Sequence, residues 1–173
     1  LPAATSSPTT ENSPALAEIS AKTGIDMAKL KDFQVHGFYL GMARHDAIEL
    51  IRKALPGATF GCDLETSSVL QIAQSINTAA SPSALVFSGD ILVGYVFETD
   101  VVDKIFQSAT LDTQAFAKQF IDSYSLEKML VEQDSQGNEE LVCRDPRGFS
   151  VTISAKKALT VTLLPDAGKP VFN

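Results

Sequence analysis

The chain has 173 residues, of which 45% are hydrophobic and 20% charged, with ten Gly, eight Pro, two Cys and no Trp. Fourteen Lys and Arg against 21 Asp and Glu give a net charge of -7, so no basic surplus exists to neutralise phosphates, and nucleic acid or an anionic membrane surface is not the expected partner. The length suits one ordinary domain or two small ones, and no apolar run reaches the roughly 18 residues of a membrane-spanning helix.

Residues 1–14 (LPAATSSPTTENSP) are rich in Pro, Ser and Thr and lack hydrophobic periodicity, the composition of a flexible tether. The chain opens on Leu1 and not on Met, which predicts a removed export signal or a longer parent upstream, with a cytosolic interdomain linker as the alternative. Residues 14–23 read as a short helix with Ser13 as cap, Pro14 in the first position and Gly24 as the stop. This helix either packs on the domain or belongs to the tether; the expected division is a tether carrying it over residues 1–32 and one globular domain over 33–173, starting where VHGFYLGM supplies the first strong apolar run.

Residues 43–55 form the clearest helix: Ala47, Ile48, Ile51, Ala54 and Leu55 make one stripe, while Arg44, His45, Asp46, Glu49, Arg52 and Lys53 cover the polar side before Pro56-Gly57. Residues 68–77 place Val69, Ile72, Ala73 and Ile76 on one helical face behind a Ser68/Gln71 capping box, which favours helix, although the β-branched content also suits a strand. ALVF (84–87) and ILVGYVF (91–97) are two apolar strands around Ser-Gly-Asp, a hairpin signal. Helices follow over 100–106, behind Thr99 and Asp100 as caps, and over 112–124, where Leu111 and Phe116 flank cap Asp112 as a hydrophobic staple. The last third reads as a β-meander, with strands 126–132, 139–144, 149–154 and 159–164 joined by the turns DSQGN, DPRG and AKK. Helices segregated from an antiparallel sheet define an α+β fold and not a doubly wound nucleotide fold.

Gly37-Phe-Tyr-Leu-Gly-Met, running into the helix 43–55, resembles the G-x-x-x-G-M lead-in of small bacterial envelope lipoprotein modules of the SmpA/OmlA (BamE-like) type. Gly41 would let the chain turn and Leu40 and Met42 would anchor it, whereas Ala43 stands where that family prefers a capping Ser or Thr. The resemblance covers residues 37–55. It implies an envelope-located module that binds proteins and performs no chemistry, and it transfers no catalytic residue. β-Lactamase inhibitor proteins built as tandem copies have a similar architecture, and the helix 112–124 followed by strands suggests two similar helix-plus-sheet halves, 33–107 and 108–173.

Residues able to do chemistry are few. Cys62 and Cys143 are either a long-range disulfide in an oxidising compartment or two buried thiols, and each could meet His36 or His45 as a thiol pair. His45, however, falls on the polar side of its helix. Residues 54–103 lack Lys and Arg but carry Asp63, Glu65, Asp90, Glu98, Asp100 and Asp103; their spacing matches no calcium loop, so no metal or other cofactor is expected. That stretch predicts a basic partner docking on Glu65, Glu98 and Asp103, and Arg144 and Arg147 in the DPRG turn are a second candidate contact. No nucleotide, zinc-protease or hydrolase motif is present.

The sequence therefore predicts a non-catalytic interaction or accessory module of the bacterial cell envelope, periplasmic or envelope-associated, held by its N-terminal segment and facing a protein partner. Two other readings stand beside it: an extracytoplasmic sensory tail of a larger membrane protein, and a small hydrolase with a dispersed site.

Overall fold

A computed structural model describes residues 14–61, 63–73, 82–127 and 129–164. Among them lie four α-helices, α1 (Pro14–Thr23), α2 (Arg44–Ala54), α3 (Thr99–Phe106) and α4 (Thr113–Tyr124), with a 3-10 helix at Met27–Asp32. Eight strands accompany them: β1 (Thr59–Phe60), β2 (Val69–Ala73), β3 (Ser83–Ser88), β4 (Ile91–Phe97), β5 (Leu130–Gln133), β6 (Glu139–Arg144), β7 (Phe149–Ser154) and β8 (Leu159–Leu163). All eight join one antiparallel sheet in the order β1-β2-β3-β4-β8-β7-β6-β5. The fold is α+β, and β5 to β8 form the C-terminal meander.

The order is symmetric in plan. Helices followed by four meandering strands occur twice, and the last strand of each set, β4 and β8, pair at the centre. One core nevertheless serves both sets, with Leu70, Leu85, Tyr95, Val161, Val151 and Cys143 in a continuous cross-strand row beneath the helices. Aromatic rings of α4, Phe116, Phe120 and Tyr124, extend that core through Phe106 and Phe33 to Phe149.

The local chemistry explains most element bounds. Asp112 caps α4 by accepting the Ala115 N–H at 2.8 Å, and Ala43 precedes α2 with no side-chain cap bond. Gly41 takes a left-handed φ of +103°, and its N–H reaches the Leu92 carbonyl at 2.8 Å, which ties the lead-in of α2 to the start of β4. Leu40 and Met42 are buried on either side.

Several sequence expectations are corrected. Residues 69–73 of the expected helix 68–77 are strand β2, because Leu70 and Ile72 turn inward while Val69, Gln71 and Ala73 are exposed; the remainder, 74–77, lies outside the described residues. Neither Thr99 nor Asp100 is the cap of α3: the N-cap is Glu98, without a side-chain bond, and the Asp100 carboxylate accepts its neighbour's N–H. The strand expected from residue 126 starts at Leu130. Arg44 is not on a solvated face. Packing also begins well before Phe33, since Leu16, Ile19, Ile25, Met27 and Leu30 are all core residues, so 14–32 belongs to the globular unit; Ser13 and the preceding residues lie outside the described ones.

Candidate functional site

Helices α2 and α3 pack against β4 and α4 against β7, and their buried side chains join one core with the inward cross-strand row. Alternation then fixes what the sheet shows on its other side. Register rows run Gln71, Ala84, Val96, Thr160, Thr152, Val142 and Leu130, and beside them Val69, Val86, Gly94, Thr162, Ser150 and Arg144. No described helix covers these residues. Ala84 and Val142 are buried, yet neither belongs to the core cluster.

This face is short-chained and almost uncharged at its middle. A Cβ on Gly94 would stand 3.1 Å from the Thr162 hydroxyl, so glycine lets β4 and β8 close tightly at the centre. Charge enters only near the β5–β6 edge, where Arg144 grips Glu132 with both terminal nitrogens, one bond measuring 2.9 Å. The Arg144 guanidinium holds the Glu132 carboxyl below its ordinary range. The face thus combines small aliphatic side chains with the hydroxyls of Thr152, Thr160, Thr162 and Ser150, and leaves Val69 and Leu130 exposed at its two ends.

The residues singled out from the sequence do not converge. Arg147 lies on the β6–β7 turn with its Nε 2.8 Å from Asp145 and its guanidinium over the Phe149 ring at 5.1 Å, so both turn arginines serve intramolecular pairs. Glu65 is exposed in the loop before β2, its N–H donating to Asp63. Glu98 is half-buried at the start of α3, its carboxyl raised by burial and then by Asp100. Asp103 holds Lys157 at 2.6 Å. Sheet order separates Glu65 from Arg144, since β3, β4, β8 and β7 lie between β2, which Glu65 precedes, and β6, which carries Arg144.

Cys143 is a buried free thiol whose pKa is pushed up by burial and by Asp145 and Glu127, the opposite of nucleophile activation. Its expected partner in a disulfide, Cys62, lies outside the described residues. His45 is exposed on α2. His36 occupies a left-handed turn at φ +50°, its ring edge-on to Phe106 at 4.6 Å, with its pKa lowered by burial. No hydrogen bond links either histidine to Cys143 among the described residues. Nor do those residues group three or more His, Cys, Asp or Glu side chains able to hold a metal ion, and no described helix is long and apolar enough to cross a membrane.

Two buried cations escaped the sequence reading. Arg44 sends its Nε to Asp90 at 3.1 Å and its terminal nitrogens to the carbonyls of Leu64, Ser67 and Gly89 at 3.0, 2.8 and 2.7 Å, stacked 4.2 Å from the centroid of Phe87. Lys157 donates from Nζ to Asp103 and to the carbonyls of Ser108 and Leu111 at 2.9 and 2.8 Å. Both pin loops, and neither is free to act on a ligand. Compared with family models, with curated proteins and with solved structures, the chain has no match.

Proposed function

We propose that the protein is a non-catalytic protein-binding module of the bacterial cell envelope, held by its N-terminal segment, and that it docks its partner on the helix-free face of the sheet. The observation that carries this reading is the make-up of that face: eight strands wide, with Val, Thr, Ser, Ala and Gly at its centre. Such a surface offers contact area with little side-chain entropy to lose on docking. The raised thiol of Cys143 supports a role without covalent chemistry. The lead-in resemblance over residues 37–55 and the Pro-, Ser- and Thr-rich segment ahead of α1 support the envelope assignment.

Position-resolved crosslinking in the native cell tests both parts. A photoreactive residue at Thr160 or Thr152, on the helix-free face, is expected to give one shared adduct in the envelope fraction. The same probe at Lys118, exposed on α4, is expected to give none. Adducts of equal yield from all three positions, or a protein found wholly in the cytosol, would refute the proposal.

A further inference from the structure

The outer edge of the sheet carries a different kind of surface. Among the described residues β5 pairs only with β6, so the backbone groups on its far side have no described strand partner, a template for an added strand. Natural edges are usually blunted by charge or proline, but here Leu130 and Val131 are 58% and 63% exposed, one on each face of the sheet. Beside Val131, a groove of about 150 Å³ runs between the start of α4 and the sheet, with Leu141 and Ile153 in its floor and Thr113 and Glu139 along it.

The charge around this edge is one-sided. Residues 127–140 carry Glu127, Glu132, Asp134, Glu139 and Glu140 against a single lysine, Lys128, whose placement lies outside the described residues. Arg144, the nearby arginine, is committed to Glu132, while Glu139 and Glu140 have no salt-bridge partner among the described residues.

We infer that the β5 edge takes an extended segment of another protein as an added strand, and that this segment alternates basic with apolar side chains. Backbone pairing to β5 supplies the attachment. One apolar side chain of the segment lies beside Val131 in the groove and another covers Leu130, while its Lys or Arg side chains meet the surrounding carboxylates. A second copy of this chain is the wrong occupant, because β5 against β5 would bring two sets of the same carboxylates together. The inference does not require the helix-free face to be occupied, so either can fail without the other.

The probe is a short end-blocked peptide alternating lysine and valine, titrated into the full chain and followed by backbone amide NMR. Saturable shifts are expected at residues 130–133 and along the groove, with slowed hydrogen exchange in β5 and binding that weakens as salt is added. Val131→Lys, a substitution at an exposed position, should weaken binding about tenfold by placing a cation on the edge. Reversing Glu139 and Glu140 to Lys, which leaves every β5 residue unchanged although the two face Gln133 and Glu132 across the ladder, should do the same and keeps the test decisive if the first variant does not fold. Equal binding of a peptide with Glu in place of Lys overturns the inference. So do shifts centred on Val96 and Thr160, the absence of saturable binding, and self-association of the free protein through β5.

Discussion

Arg44 and Lys157 show what a side chain's sequence neighbourhood conceals. Arg44 stands among the polar positions of α2 and Lys157 in a short Ala-Lys-Lys turn, yet each is a buried cation ringed by carbonyls that come from distant loops. Nothing in local spacing marks them, because the carbonyls are delivered by the tertiary fold. Asp145 is a buried group of the opposite kind, a carboxylate bonded locally to the N–H and guanidinium of Arg147 two residues on, which hold its carboxyl below the ordinary range. A carboxyl with a folded pKa below its unfolded one contributes stability above the unfolded value, about 3.9 for Asp, and loses it as pH falls through the folded value. Asp145→Asn should therefore lower stability at neutral pH, and the deficit should close on acidification below that point. Urea unfolding at stepped pH reads this directly, and a deficit constant down to the acid limit would contradict it. Glu98 runs the other way: its raised pKa makes the ionised form a cost at neutral pH, and that cost fades as pH falls.

At the scale of elements, most of the fold was legible because local signals agree. Pro14 opens α1, Asp112 caps α4, and the turn around Gly89 closes the hairpin of β3 and β4. The failure at β2 has a physical cause. Val69, Ile72 and Ala73 line up as a helical stripe, whereas pleating puts Leu70 and Ile72 inward and Val69 and Ala73 outward, and pairing with β3 decides between them. Charged and small residues were harder to place, since the helix-free face exists only once β4 and β8 meet, and no single strand announces which of its two sides stays uncovered. The β6–β7 turn illustrates the same dependence. Gly148 adopts φ +113°, and a Cβ there would come within 2.8 Å of the buried Ile25 side chain. Gly148→Ala should cost about 3 kcal/mol, from the strained backbone and the overlap together. A chemical-denaturation midpoint equal to that of the unaltered protein would disprove the contact's weight.

For the molecule as a whole, the N-terminal segment is structural. Five buried side chains, Leu16, Ile19, Ile25, Met27 and Leu30, come from residues before Phe33, and at about 2 kcal/mol apiece they approach the typical net stability of a domain, about 5–15 kcal/mol. A chain of residues 33–173 alone is expected to lose cooperative thermal unfolding and near-ultraviolet dichroism. A sharp melt close to that of the full chain would show the segment to be dispensable.

The central pairing of β4 with β8 also shapes how the protein is made. When the first set of strands leaves the ribosome, Ile91–Phe97, nearly all apolar, lacks the neighbour that covers its second edge, because that neighbour, β8, lies more than 60 residues further along the chain. Pairing at such sequence distance is slow to form, and a long apolar strand waiting unpaired invites aggregation in the interval. Until β8 arrives, this nascent chain is a natural client for a holding chaperone.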